Sequence, residues 1–295
     1  MGENMKYDLN DVTFIVHLRI DTDDRLRNII LTTSFLLTHF ECTIIIKESD
    51  SEKKFEQWAL PQIREYVDTT DLNYVFEQND DDHFHRTRLL NDMVMMAETD
   101  IVVNYDSDIV LPISSYVEAV EKLRSGECDV VYPYKFGQYG EKKVVLKTRI
   151  EDEDDLENFS KQNGVKDFVK EFDPGVFDKS FFYAENVNGP GWAEYGMVQF
   201  FKTSIYKDGF LENEGFMAYA PEDVERHHRW KTLGYNIGRV DRHAYHLEHK
   251  RTPNSWFNNP FMQHNNNLWE RLREMSRSEL IEYYRTQPYV RERLK

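Results

Sequence analysis

Apolar residues cluster along the first half of the chain in short, nearly unbroken blocks separated by polar stretches of helical spacing. VTFIVHLRI (12–20), CTIIIKES (42–49), LNYVFEQ (72–78) and IVVNY (101–105) are rich in β-branched and aromatic residues. They predict strands, and the least interrupted of them predict strands buried on both faces. Between them the period changes. Leu26, Ile29, Ile30, Thr33 and Leu37 form one stripe, a charged helix fits residues 52–66, and Leu89, Leu90, Met93, Val94 and Ala97 point inward from a helix over 85–98. Strand, helix, strand, helix, strand is the pattern of a parallel sheet with right-handed crossovers. A helix over 114–125 and a strand within CDVVYPYKF (128–136) extend it.

The second half is less regular. EDEDDLENFSKQNGVKDFVKEF (151–172) is an acidic shift in composition, read as an exposed helical insertion or lid. NVNGPGWAEYG (186–196) is a glycine-proline turn, and MVQFFKTSIY (197–206) is apolar. A helix starts at Ala220-Pro221-Glu222-Asp223 and runs to Leu233, with Gly234 as its stop. YNIGRVD (235–241) reads as a short last strand, and the asparagine-rich 254–267 as loop. Charged helices follow from Leu268, the second announced by the capping box Ser276-Arg277-Ser278-Glu279.

Composition narrows the class. With 295 residues, 40% of them hydrophobic and 14% aromatic, the chain can bury a large α/β core. A formal charge of −16 argues against nucleic acid and against adsorption to an acidic membrane surface. An anionic ligand would need local cations or a metal ion to offset that field. Cys42 and Cys128 are read as buried, reduced thiols. There is no transmembrane segment and no signal-peptide pattern in MGENMKYDLN, so a soluble, cytoplasmic protein is expected.

Candidate chemistry gathers at strand ends, where such a sheet binds ligands. Arg19 and Asp21 follow the first block, and Asp106 and Asp108 follow IVVNY in an Asp-Ser-Asp turn. Two carboxylates at this spacing can converge on a hard divalent cation, although a strand-end Asp-x-Asp also serves as a plain solvated turn. Arg86 lies in a first helical turn, where the dipole opposes a cation, which points to an anionic ligand nearby. Glu222 and Asp223 begin a helix, where carboxylates are favoured with or without chemistry. His243, His246 and His249 fall within seven positions and are a source of one metal ligand.

Taken together, FHRTRLLND (84–92) followed by TDIVVNYDSDIVLP (99–112) resembles the nucleotide-sugar half of metal-dependent GT-A glycosyltransferases. The likeness is to β-1,4-galactosyltransferases and to bacterial family 2 enzymes of the chondroitin-polymerase type. NGPGWAEYGMVQFFKTSIYKDGFLENEGF and then APEDVERHHRWKTLGY are similar, in order, to the family's glycine-rich turn, Gly-Phe approach and Glu-Asp helix start. Where the family has a Trp-Gly-Gly run before the acidic pair, this chain has Phe216-Met217-Ala218-Tyr219-Ala220-Pro221. The acidic insertion matches nothing in that family.

The resemblance implies a GT-A, Rossmann-like fold with a mainly parallel sheet flanked by helices. It implies one domain over 1–266, with a nucleotide-sugar half at 11–133 and an acceptor half at 134–266, and a helical tail at 267–295. By the resemblance, Mn²⁺ or Mg²⁺ is held by Asp108, by Asp106 directly or through water, and by His246, with His249 as the alternative. Arg19 and Asp21 would contact the nucleoside of a UDP-sugar, and Arg86 the departing diphosphate. Asp223 would be the base that activates a hydroxyl of a glycan or glycolipid acceptor, with inversion at the anomeric carbon, and Glu222 would bind sugar or acceptor. Trp192 and Trp256 are candidate stacking surfaces for sugar rings. The expected function is polysaccharide biosynthesis by hexosyl or N-acetylhexosaminyl transfer. Two other readings stay open: a nucleotidyltransferase that makes the nucleotide sugar, although its glycine-rich loop is missing after the first block, and a non-catalytic binding protein on the same fold.

Overall fold

The computed structural model describes residues 6–135, 143–148, 182–187, 195–242, 244–247, 249–250, 252 and 259–295. In chain order the elements of the first half are β1 (Tyr7–Leu18), α1 (Asp23–His39), β2 (Phe40–Asp50), a π-helical turn (Phe55–Ala59) continuing into α2 (Leu60–Arg64), and β3 (Leu72–Gln78). Then come α3 (Arg86–Met96), β4 (Ile101–Tyr105), the short β5 (Ile109–Val110), α4 (Ile113–Arg124) and β6 (Val130–Tyr132). The second half contributes β7 (Lys143–Thr148), β8 (Phe182–Val187), β9 (Val198–Lys202), α5 (Thr203–Asp208), α6 (Glu222–Leu233), β10 (Ile237–Arg239) and β11 (Tyr245–His246). The chain closes with α7 (Met262–Arg273), α8 (Arg277–Thr286) and α9 (Pro288–Arg293).

Seven strands form the main sheet in the order β10-β6-β9-β4-β1-β2-β3. All neighbours are parallel except β9, which runs antiparallel between β4 and β6. The unbroken apolar blocks take the middle of the sheet because only a strand covered on both faces can bury every side chain. Every residue of β4 is buried, as are Val12, Phe14, Ile15 and Val16 of β1. Apolar MVQFF supplies β9, whose Val198, Phe200 and Phe201 are buried from both neighbours. Its antiparallel direction was not legible, since a buried strand has the same composition in either direction.

Helix α1 starts where Thr22 caps it, its hydroxyl accepting from the Arg25 N–H at 3.3 Å, with Asp23 and Asp24 in the first turn. Such a cap contributes about 1 kcal/mol. The sequence predicts one apolar stripe, yet residues 27–37 are buried without a break. Polar Asn28, Thr32 and Ser34 are buried with the apolar side chains because another segment covers the face that the stripe leaves out.

Several boundaries differ from the sequence reading, among them the helix expected over 52–66, which spans only 55–64 and begins as the π-helical turn. β1 begins at Tyr7, ahead of its apolar block, by pairing Tyr7 and Asp8 with Phe40 and Glu41. YNIGRVD contributes only Ile237–Arg239 to the sheet. The asparagine-rich loop expected over 254–267 is corrected at its end: α7 already starts at Met262, and Asn265 is buried within it. Polar composition hid that turn of helix, because its asparagines are held by tertiary contacts. The capping box forms as expected: the Ser276 N–H donates to Glu279 Oε2 at 2.8 Å and the Glu279 N–H to Ser276 Oγ at 3.4 Å. Behind it, Phe216, Leu268, Leu272, Leu280, Tyr284, Tyr289 and Val290 make a second core, which packs the C-terminal helices onto the loop before α6. Cys42 and Cys128 are both buried and free. The acidic stretch 151–172 lies outside the described residues, between the antiparallel strands β7 and β8.

Candidate active site

The site is built where β4 ends. The Asp106 N–H donates to Met197 O at 3.0 Å, and the chain turns through Ser107 and Asp108 into β5. β5 pairs antiparallel with β11, Ile109 opposite His246 and Val110 opposite Tyr245. The Leu247 N–H then donates to Asp108 O at 2.7 Å. A short ladder thus draws the histidine-bearing segment of the second half alongside the acidic turn of the first. Helix α1 fastens both: Thr32 Oγ1 donates to Ser107 O at 3.1 Å, Asn28 Nδ2 to Leu247 O at 3.1 Å, and the Lys250 N–H to Asp24 Oδ2 at 2.9 Å. This is the cover that buries α1 all round.

The ladder delivers His249 to Asp108. His249 Nε2 lies 3.1 Å from Asp108 Oδ2, and both residues are buried. His249 Nδ1 is 3.0 Å from Lys250 O, a carbonyl that only accepts, so Nδ1 carries a proton and Nε2 is the atom turned to the carboxylate. At that spacing Nε2 and the carboxylate oxygen share either a proton or a metal ion. A separation near 3 Å is also that of adjacent ligands on an octahedral ion with bonds of about 2.1 Å. Among the described residues no group of three His, Cys, Asp or Glu side chains converges. A divalent ion at this pair would have two protein ligands here and would draw the rest from elsewhere, as Mg²⁺ and Mn²⁺ draw on substrate phosphates and water. The His246 backbone sits in β11 beside Ile109, and its side chain lies outside what is described.

Asp106 turns to the other side of the site. Its Oδ1 lies 3.3 Å from Arg86 Nη2 and 3.7 Å from His17 Nε2. Arg86 is the first residue of α3, and its Nη1 reaches Glu222 Oε1, on the first residue of α6, at 2.9 Å. The sequence reading inferred an anionic ligand near Arg86, a cation that the helix dipole opposes. Two of the chain's own carboxylates stand there. They also explain the electrostatics. Burial works against the Arg86 charge, but Glu222 and Asp106 outweigh it and hold the guanidinium above its ordinary value. Burial lifts the Asp106 carboxyl to about 6, against the pull of Arg86 and with a further push from Asp108. Burial likewise lifts Glu222 to about 7, Arg86 pulling down and Asp223 pushing up. His17 is driven well below its usual value by burial and by Arg86, so it is neutral.

Asp223 adjoins this cluster and is only partly covered, whereas Glu222 is buried. Its Oδ1 accepts from the Val224 N–H at 2.8 Å, inside the first turn of α6. Its Oδ2 lies against Gly196: a Cβ on that glycine would come within 2.9 Å of it. Burial raises the Asp223 carboxyl, while Arg226 and Arg86 pull it down. Arg226 is fully buried one turn on, with Nη1 2.7 Å from Glu212 Oε1 and Nη2 3.0 Å from Gln199 Oε1.

The remaining expected residues are placed as follows. Arg19 donates through Nε to Ser49 O and through Nη1 to Asp81 O, each at 2.9 Å, and lies over the Phe84 ring. Asp21 pairs with Arg25 at 3.1 Å and accepts from Thr252 Oγ1 at 2.7 Å. Both therefore stand at the carboxyl edge, engaged by the chain's own groups. Arg88 pairs with Glu77 and Asp92 instead of joining Arg86. Trp192 and Trp256 lie outside the described residues. Sequence reasoning missed His17, Gly196 and Arg226. His17 directly follows VTFIV as an ionisable residue flanked by apolar ones, and Arg226 comes one helical turn after the acidic pair, which are the signals that could have found them.

The mainly parallel sheet with one antiparallel strand is the GT-A, Rossmann-like fold that the sequence resemblance implied. One solved structure shares the fold, and two others are more distantly similar. S. aureus TarS 1–349 in complex with UDP-GlcNAc is similar with a TM-score of 0.53 at 12% identity, over 95% of this chain and 71% of that one. The crystal structure of TarS 1–349 by itself gives a TM-score of 0.49 at 13% identity, over 82% of this chain and 60% of that one. The mannosyltransferase PcManGT from Pyrobaculum calidifontis, in complex with GDP-Man and Mn²⁺, gives 0.42 at 14% identity, over 81% and 56%. The chain thus spans less than two thirds of the last two. No protein-family model and no curated protein matches it. Among the described residues no helix is long and apolar enough to cross a membrane.

Proposed function

We propose that the protein is an inverting, metal-dependent glycosyltransferase that moves a hexose or N-acetylhexosamine from a UDP-sugar to a hydroxyl of a glycan or glycolipid acceptor. The observation that carries this reading is the Arg86 bridge, which joins the Asp-Ser-Asp turn to the Glu222-Asp223 helix start at one edge of the sheet. The TarS structure of similar fold holds UDP-GlcNAc, which makes UDP-sugars the first donor class to test. In this reading residues 11–133 bind donor, 134–266 bind acceptor, and 267–295 form a tail.

Asp108 and His249 would hold Mn²⁺ or Mg²⁺, with His246 as a further ligand. Bound there, the ion supplies positive charge for the donor's diphosphate in a protein of net charge −16. Everything else falls to side chains. Arg86, kept charged by its two carboxylates, faces the leaving diphosphate with Asp106, while Arg19 and Asp21 bind the nucleoside and Trp192 the sugar. Asp223, the less covered member of its pair, takes the proton from the acceptor hydroxyl as that oxygen attacks the anomeric carbon and the bond to diphosphate breaks. Glu222 holds Arg86 in place and keeps a second carboxylate beside the base.

The test is incubation with a panel of UDP- and GDP-sugars and Mn²⁺, scoring released nucleoside diphosphate with and without glycan acceptors. Acceptor-stimulated release of UDP is expected. No release from any donor would overturn the reading.

A further inference from the structure

Asn265 is fully buried in α7 and commits its whole side-chain amide to the chain that leads into Glu222. Its Oδ1 accepts from the Met217 N–H at 3.1 Å. Its Nδ2 donates to Met217 O at 2.7 Å and to Ala220 O at 2.9 Å, with Tyr219 O sharing at 3.3 Å. Only this orientation of the amide satisfies a backbone N–H and backbone carbonyls together. The segment so held is bent. Ala218 and Ala220 have φ of 58° and 52°, in the left-handed region that side chains other than glycine rarely enter. A bend of that kind persists only when its surroundings over-determine it.

The surroundings come from two directions. On one side Thr87, the neighbour of Arg86, donates through Oγ1 to Phe216 O at 3.2 Å. On the other, α7 supplies Asn265, and Asn259 Nδ2 donates to Tyr219 O at 3.2 Å. The clamped loop ends at Pro221, and the next two residues are Glu222, which meets Arg86 at 2.9 Å, and Asp223. No side chain of Ala218 or Ala220 can hold the bend itself. The position of the acidic pair therefore depends on an amide from a helix that carries none of the groups assigned to chemistry.

We propose that Asn265 is a positioning residue for the transfer step: by fixing residues 217–220 it sets where Glu222 and Asp223 stand relative to Arg86. This rests on the glycosyl-transfer reading above. It assigns to the C-terminal helices a part in turnover, beyond packing. Because the clamp acts on Glu222 and Asp223 and leaves the Asp108–His249 pair untouched, its loss is expected to lower turnover more than metal-dependent UDP binding.

The experiment compares wild type, Asn265→Ala and Asn259→Ala well below their melting temperatures. Three quantities are read: kcat for transfer, KM for the donor, and affinity for UDP with Mn²⁺. A misplacement of about 1 Å costs roughly 10²-fold in rate, so Asn265→Ala is expected to lower kcat by about 10- to 100-fold. Donor KM and UDP affinity should stay within about threefold. Asn259→Ala, which removes the bond to Tyr219 and the one accepted from the Phe261 N–H ahead of α7, should show the same pattern at smaller size, and it keeps the test alive if Asn265→Ala does not fold. Wild-type kcat in the folded variants, or a loss confined to KM, overturns the proposal. Amide hydrogen exchange at Met217 and residues 222–224 reads the clamp without activity. Faster exchange is expected in Asn265→Ala, and unchanged protection overturns the proposal. If the wild type turns over no nucleotide sugar, the transfer reading has failed, and exchange alone judges the clamp.

Discussion

Arg86 Nη1 stands 2.9 Å from Glu222 Oε1, so the first residue of α3 and the first residue of α6 are joined across the two halves of the chain. An arginine at a helix start is opposed by the dipole, and a glutamate there is favoured by it. The pair relieves the first and uses the second. With Asp106 3.3 Å away on its other side, Arg86 is the cation about which both acidic motifs are arranged.

Removing that cation should cost stability in a pH-dependent way. Arg86→Ala takes the guanidinium away from both Glu222 and Asp106, and breaking a buried pair costs about 3–5 kcal/mol. Chemical denaturation at pH 8 should show most of that loss. Near pH 5, where both carboxyls can take up protons, the loss should shrink. An equal loss at both pH values would count against the bridge.

Ligand-free wild type should itself lose stability as pH rises. Glu222 has its folded value raised from 4.5 to about 7, so the native state binds more protons than the unfolded chain between those values. The contribution is fully present below pH 4.5 and is lost as pH rises through 7. Glu222→Gln removes the titration. Its melting temperature should vary less between pH 5 and pH 8 than that of wild type. Parallel profiles for the two proteins would refute this assignment.

UDP should bind weakly in EDTA and more tightly with Mn²⁺, because Asp106 and Asp108 otherwise repel the phosphates. Asp108→Asn should abolish the gain. His249→Ala should reduce it, since its Nε2 faces the same carboxylate. Titration calorimetry of the three proteins with and without metal measures this, and metal-independent UDP affinity in wild type would remove the metal from the scheme.

Asp223→Asn separates chemistry from packing. If Asp223 only complements the dipole, the change costs about 0.3–1 kcal/mol and leaves transfer alone. As the base, its loss lowers transfer by roughly 10²–10⁴-fold at saturating donor and metal, with donor affinity nearly intact. Gly196→Ala probes the same oxygen by contact, because the new Cβ would lie 2.9 Å from Asp223 Oδ2. A smaller fall in kcat is expected, and wild-type transfer by both variants would move the base elsewhere.

The strand blocks, the helix after each of them, and the acidic turn at the end of IVVNY were all legible in the sequence. Each depends on local period or on a short run of residue types. β3 matches its predicted block residue for residue, and the stop at Gly234 and the box at Ser276 are local signals that held. Local pattern also determined that carboxylates and Arg86 would reach the carboxyl edge of a parallel sheet, because strand ends share that edge whatever their order.

Partners were decided by the tertiary structure alone. The cation opposed by its helix dipole was visible at Arg86, but the anions that answer it come from residues 106 and 222, which no window joins. Three histidines within seven positions look alike in sequence, and the β5–β11 ladder sets His249 against Asp108. The direction of β9 and the helical start of the asparagine-rich stretch were hidden for the same reason. Composition records how a residue prefers to be surrounded, and only the packed chain supplies the hydrogen-bond partners that make one such surrounding the stable one.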